Sequence, residues 1–194
     1  MIKTFNSPDD LSAEEKREIA VLITSVFRKK LLPIFVRIEE DRWPEFFEKI
    51  LLYNKGLYYK DEKGIQGVGM LQTESADLVQ YSRKVKKTLG FPYALIMKIF
   101  FSHKVKPGIL RLEMLGVSEA VRGQGIGSKL MKELPRIARE EGYHTLSLDV
   151  VDTNPRAKKL YESLGYKTVK TIKTGFLSVR AGFSASYLME CPVE

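Results

Sequence analysis

The sequence of 194 residues has a single cysteine, Cys191, and two histidines, His103 and His144. One thiol excludes an intramolecular disulfide and any zinc site built on cysteines. The histidines stand far apart with no companion ligands at metal-like spacing, so no metal is expected. No run reaches the ~20 apolar residues of a membrane span. The nearest, Phe91 to Phe101, is too short and contains Lys98. Met1-Ile2-Lys3-Thr4-Phe5 lacks the apolar core and small residues of a secretory leader, so a reducing, cytoplasmic location is the expectation. Repeats and flexible linkers are absent too.

What remains is an ordinary globular composition, 44% hydrophobic and 29% charged. It fits one folded domain over residues 1–194. The formal charge of +8 favours polyanions, whether nucleic acid, a membrane or a phosphorylated small molecule. The positive residues are spread along the chain, with no recognition helix or stacking motif. Nucleic acid and membranes are therefore not the expected partners.

Along the chain, Asp9 or Ser12 caps a first helix carrying Ile19, Ile23, Val26 and Phe27 at helical spacing. A second helix is predicted from about Glu39 to Tyr53. Leu57-Tyr58-Tyr59 and Ile65 to Leu71 flank the turn Asp61-Glu62-Lys63-Gly64 as a hairpin. Residues 75 to 106 read as a helical insertion: one helix on Leu78, Val79, Tyr81 (or Ser82) and Val85, another from Tyr93 to Phe101. Then come a strand from Ile109 to Val117, a glycine-rich turn and a helix from about Gly125 to Glu141, closed by Gly142. Thr145 to Val151 is a strand, and Asn154-Pro155 opens a helix ending at Gly165. Thr168 to Ile172 and Ala185 to Cys191 close the fold. The class is α/β, with helices packed on a mixed, mostly antiparallel sheet.

The sharpest local signal is Arg122-Gly123-Gln124-Gly125-Ile126-Gly127-Ser128, between a strand and a helix. Glycines let the backbone wrap an anion closely, and a helix start offers unpaired N–H groups and the positive end of its dipole. Arg122 and the Ser128 hydroxyl add donors. The chemistry is that of a phosphate or pyrophosphate cradle. It is neither the dinucleotide fingerprint, which needs glycine where Ser128 stands, nor the nucleotide P-loop, which needs glycine where Arg122 stands and Lys directly after Gly127.

At this point the chain resembles the GNAT N-acetyltransferases, whose cofactor loop has the form [RQ]-x-x-G-x-[GA]. Arg122, Gly125 and Gly127 stand at those positions. The segment Asn154-Pro155-Arg156-Ala157-Lys158-Lys159-Leu160-Tyr161-Glu162-Ser163-Leu164-Gly165-Tyr166 resembles the family's N-x-x-A-x-x-x-Y-x-x-x-G-[FY] motif. Clear similarity covers about Ile109 to Lys167. The resemblance implies acetyl-CoA as co-substrate and a strand that splays from its neighbour to admit the pantetheine arm. It implies arm contacts from the strand end at Leu115, Gly116 and Val117, pyrophosphate held by backbone N–H groups from Arg122 to Ser128, and a cofactor contact from Asn154. Asn154 is equally a helix cap. Pro135 predicts a kink in the helix beyond the loop.

Acyl transfer to an amine by direct attack requires a deprotonated amine, a donor for the developing oxyanion and a proton for the leaving thiolate. Tyr161 shares a helical stripe with Ala157, Leu160 and Leu164 and is the expected general acid, as in the resembled family. Strand alternation places Leu110, Leu112 and Met114 on one face, and Arg111, Glu113, Leu115 and Val117 on the other. Glu113 is thus the first choice of general base, Asp149 the second, with water alone also open. Family likeness gives the oxyanion to the Val117 N–H. Neither histidine is assigned a role.

The acceptor amine is not specified; a small molecule and a protein amine both stay open. In the family it is held by segments matching Phe27 to Arg37, the 75–106 insertion, and Thr174-Gly175-Phe176 to Phe183-Ser184. These carry Phe35, Tyr81, Tyr93, Phe176 and Phe183. The alternative function is a non-catalytic acyl-CoA-binding regulatory module. A homodimer is among the assemblies open to either.

Overall fold

The computed structural model describes residues 1–32, 35–75, 78–79, 87–90, 104–175 and 182–193. Among these, the strands are β1 (Ile2–Phe5), β2 (Gly56–Asp61), β3 (Gly64–Gln72), β4 (Ile109–Val117), β5 (Thr145–Val151), β6 (Lys167–Lys173) and β7 (Ala185–Pro192). They form one sheet in the order β1-β2-β3-β4-β5-β7-β6. Every neighbouring pair is antiparallel except β4 and β5. The mixed, mostly antiparallel expectation is met. β1 was not foreseen: four residues with little apolar alternation give no periodic signal. β6 lies at an open edge with every residue exposed, and its three lysines blunt that edge against unwanted pairing.

The helices are α1 (Ala13–Val26), α2 (Arg28–Leu31), α3 (Trp43–Ile50), α4 (Ile126–Glu140) and α5 (Pro155–Ser163). Ser12 begins α1 with a capping box: the Glu15 N–H donates to Ser12 Oγ, and the Ser12 N–H donates to the Glu15 carboxylate, both at 3.1 Å. The helix predicted from Glu39 is shorter than expected. A 3-10 turn at Glu40–Arg42 precedes α3, and the backbone turns extended at Leu51. The helix predicted at Leu78 and Val79 is not there. Both are buried, Val79 bridges Leu51, and the Leu52 N–H donates to the Leu78 carbonyl at 3.0 Å. Further along, residues 87–89 are helical, while residues 80–86 and the helix expected at Tyr93 to Phe101 fall outside the described residues.

α4 continues through Pro135 as one element and ends on Gly142 in a Schellman arrangement. The Gly142 N–H donates to Arg139 O at 3.1 Å and the Tyr143 N–H to Ala138 O at 2.8 Å.

Each face of the sheet carries an apolar layer. Ile19, Ile23, Phe35, Phe47, Val68 and Met70 form one with α1 and α3. Leu112, Ile126, Leu130, Leu134, Leu148 and Tyr161 form the other with α4 and α5. α4 lies close on β3 because of Gly67. A Cβ there would sit 2.8 Å from Ile126 Cγ2 and 3.1 Å from Leu130 Cδ1, so a side chain would push the helix away. That seating fixes where the α4 N-terminus meets the strands.

Candidate active site

β4 and β5 pair from Ile109↔Thr145 to Leu112↔Leu148 and no further, although β4 runs on to Val117 and β5 to Val151. Beyond that rung the sheet opens into a fork. The Ser118 N–H donates to Gln66 O at 2.8 Å, toward β3. Antiparallel strands alternate the direction of their main-chain groups, so Gly116 also faces β3, opposite Val68, while the main chain of Leu115 and Val117 faces the gap. Gly116, expected among the cofactor contacts, therefore has its main chain directed at β3. A depression in the fork is lined by Glu113, Leu115, Asp149, Val151, Asn154 and Tyr161, with Phe27 at its rim.

The glycine turn sits at one end of this fork. Gly123 and Gly125 have φ of 86° and 77°, the left-handed region where a side chain is strained. Gly125 is the N-cap of α4 and supplies no side-chain cap. The first helical bond runs from the Lys129 N–H to Gly125 O at 2.9 Å, so the N–H groups of Ile126, Gly127 and Ser128 precede the helical ladder. Of the donors expected over Arg122 to Ser128, two are used inside the turn. The Arg122 N–H donates to Glu119 O and the Gln124 N–H to Val121 O, each at 3.3 Å. The Arg122 guanidinium meets the exposed Glu119 carboxylate at 2.9 Å, a pair of little energetic weight. A Cβ on Gly127 would lie 3.6 Å from Val117 Cγ2, which brings the cradle directly against the strand end.

The wall opposite β4 comes from α5. Asn154 caps it, Oδ1 accepting from the Ala157 N–H at 3.2 Å, and this occupies the side chain's carbonyl oxygen while its NH₂ remains a donor. Tyr161 is 7% exposed and packs at a ring-centroid distance of 6.1 Å from Tyr166. Burial pushes its phenol up to about 12, so the hydroxyl is held protonated throughout the neutral range.

Three charged groups stand where the fork begins. Arg111 Nε donates to Glu113 Oε2 at 2.8 Å, and its Nη2 donates to Asp149 Oδ2 on β5. The side chains of Arg111 and Glu113 are 8% and 5% exposed. Burial works against the charged form of Arg111, and the two carboxylates outweigh it, so its pKa lies above the ordinary value.

The alternation predicted for β4 fails at this point. Register shifts so that Met70 pairs with Met114 and Leu71 with Leu112, leaving Glu113 as the extra residue of a β-bulge. Leu110 and Leu112 pack in the α4 layer, Met114 in the α1 layer, and Leu115 and Val117 again against the α4 layer. Glu113 is thus on the bulge with Arg111 and Asp149, not on a continuous face with Leu115 and Val117. Of the acceptor-side aromatics, Phe35 is 1% exposed against Trp43 and Phe47, so it is core and lines no slot. Phe183 is half-buried; Tyr81, Tyr93 and Phe176 fall outside the described residues.

A family model, the Acetyltransferase (GNAT) family, matches residues 36–166. The chain belongs to the GNAT acetyltransferase family. It is 42% identical to the Bos taurus thialysine N-epsilon-acetyltransferase over 67 residues, 34% of this chain and 39% of that protein. It is 40% identical to Homo sapiens N-acetyltransferase 8B over 58 residues, 30% of this chain and 26% of the relative. The match thus spans well under half the length of these relatives. A solved acetyltransferase structure, 24% identical, superposes with a TM-score of 0.67 over 99% of this chain and 100% of its own. The Escherichia coli ribosomal-protein-S18-alanine N-acetyltransferase, 16% identical, gives 0.55 over 100% and 95%.

For a GNAT chain, the residue that sequence reasoning missed is Arg111, which alternation placed only on one face of the strand. A buried arginine two positions before a glutamate on one strand was the available signal; its reach to β5 was not. Among the described residues no group of three or more His, Cys, Asp or Glu side chains is placed to hold a metal ion, and no helix is long and apolar enough to cross a membrane. His144 is exposed and His103 lies outside the described residues.

Proposed function

We propose that this GNAT-family chain is a single-domain, cytoplasmic N-acetyltransferase that moves an acetyl group from acetyl-CoA to a primary amine inside the β4–β5 fork. The observation carrying this reading is the fork itself. It presents main-chain groups of Leu115 and Val117 with no strand to pair, abuts the open N-terminus of α4, and has a protonated phenol in its wall.

These features fit the co-substrate chemically. The N–H groups of Gly125, Ile126, Gly127 and Ser128 suit a pyrophosphate, with Gly123 shaping the turn and Arg122 beside it. Leu115 and Val117 provide the edge that an amide-bearing pantetheine arm pairs with, and the Asn154 NH₂ lies on the opposite wall. When bound, acetyl-CoA supplies an activated thioester. The Val117 N–H donates to the carbonyl oxygen as negative charge builds there; one such donor typically contributes ~10²–10³ in rate. A carboxylate of the fork, Glu113 or Asp149, takes the proton of the amine, directly or through water. As the C–N bond forms and the C–S bond breaks, Tyr161 gives its proton to the sulfur and regains one from solvent.

The bovine relative is named for an Nε-amine, which puts lysine-like side-chain amines first among acceptors to try. The other reading, a non-catalytic acyl-CoA-binding module, has no use for a buried protonated phenol in the wall of the fork. The deciding experiment measures thiol release from acetyl-CoA across free lysine analogues, polyamines and peptide N-termini, with Tyr161→Phe as control. Release that depends on one amine class and collapses in the variant supports the enzyme. Tight acetyl-CoA binding with no amine-dependent release favours the binding module.

A further inference from the structure

Arg111 stands in a place that the proposed chemistry does not yet explain. It pairs with Ser147 one rung before the sheet opens, and its guanidinium reaches forward to the first side chains beyond the last rung on both strands. Glu113 stands two positions further along the same strand, on the bulge. We infer that Arg111 is the positioning residue of the acceptor side: it ties Glu113 on β4 to Asp149 on β5 across the mouth of the fork and presents the second Asp149 oxygen to a cationic primary amine.

Three observations carry this inference, which rests on the acetyl-transfer reading. Asp149 has one oxygen engaged by Arg111, whereas its Oδ1 is buried and has no hydrogen-bond partner among the described residues. Buried polar atoms are seldom left this way without a ligand to meet them. The depression is also lined by the carboxylates Glu113 and Asp149, and among the described residues no lysine or arginine lines it. A carboxylate oxygen in that wall is matched by a group that arrives as an ammonium ion and gives up its proton on site. Finally, the two carboxylates are met by Nε and Nη2 along one edge of a planar guanidinium, a geometry that a lysine ammonium cannot reproduce. Glu113 then acts as the anchor that orients Arg111, and Asp149 as the group that meets the amine.

The test compares Arg111→Lys, Asp149→Asn and the double variant with wild type, each checked for folding by thermal melting. Arg111→Lys keeps the charge and loses the bridge. It should lower kcat/KM for the amine by ~10²-fold, the usual cost of misplacing a reacting group by about 1 Å, while the acetyl-CoA dissociation constant moves by less than about 2-fold. Adding Arg111→Lys to Asp149→Asn should cost little more, because both act through one unit. Amide hydrogen exchange gives a second readout that needs no acceptor. Arg111→Lys should accelerate exchange at residues 109–113 and 145–149 and leave α3 unchanged. Unaltered exchange, or amine kinetics that fall additively in the double variant, overturns the inference. Absence of wild-type turnover on every amine would instead fault the acetyl-transfer reading, and exchange alone would then decide the role of Arg111 at the fork.

Discussion

The two ends of the β4–β5 fork are built from different materials. At the α4 end the donors are main-chain N–H groups, shaped by Gly123 and Gly125 and seated by Gly67. At the other end the work falls to side chains, with Arg111, Glu113 and Asp149 tied across a bulge. Backbone recognition suits an invariant pyrophosphate, since it needs only turn geometry. Side-chain recognition suits an amine, whose protonation must change during the reaction. Substitutions should therefore separate the two ends: those in the turn alter acetyl-CoA affinity, and those in the charged cluster alter amine kinetics.

The largest separation is expected at Tyr161, which lines the depression between the two ends. Tyr161→Phe should lower kcat by ~10²–10⁴, the range for losing a general acid, with acetyl-CoA affinity within about 3-fold by titration. A similar loss of affinity would mean that the phenol holds the co-substrate and gives no proton.

The same residue makes an alkaline prediction. Its folded pKa of about 12 lies above the ordinary phenol value of 10.0, so the native state keeps a proton that the unfolded chain releases. Its stabilising contribution is full below pH 10 and declines as pH rises toward 12, by at most ~1.4 kcal/mol per pH unit. Denaturant melts across that window should fall less steeply for Tyr161→Phe. Buried Tyr53 and Tyr166 are shifted upward too, so the variant should keep part of the slope.

Gly125→Val should weaken acetyl-CoA binding ~10-fold, because a β-branched residue at φ 77° costs roughly 1–2 kcal/mol. Amine KM in saturating acetyl-CoA should hold steady, and a shift there would break the division between the two ends.

Smallest is the effect at Asn154, which caps α5 and also lines the fork. Asn154→Ala should cost ~1 kcal/mol of stability. Asn154→Asp keeps the cap and loses the NH₂ donor. If the donor serves acetyl-CoA, this variant loses affinity with stability preserved.

How legible each end was follows from the same contrast. Arg122-Gly123-Gln124-Gly125-Ile126-Gly127 and Asn154-Pro155 declared a tight turn and a helix start, because glycine opens the left-handed backbone that Gly123 and Gly125 adopt and proline fixes φ for a first helical turn. β5, α5 and the two closing strands were placed nearly to the residue. The acceptor side was misread at one point, Glu113. Alternation assumes an unbroken register, and nothing in Leu112-Glu113-Met114 announces that an extra residue opposes β3. The contact from Arg111 to Asp149 joins positions 38 residues apart, beyond any local pattern. Leu78 and Val79 failed for a related reason: their apolar spacing fits a helix, yet pairing with Leu51 and Leu52 holds them extended. β1 depends on β2 in the same way.

The most direct test of the account is an equilibrium titration of acetyl-CoA into the wild-type chain and into Gly125→Val and Asp149→Asn. The account predicts saturable one-to-one binding, weakened ~10-fold by Gly125→Val and little changed by Asp149→Asn. Absence of binding at millimolar acetyl-CoA, or binding indifferent to Gly125→Val, would contradict it.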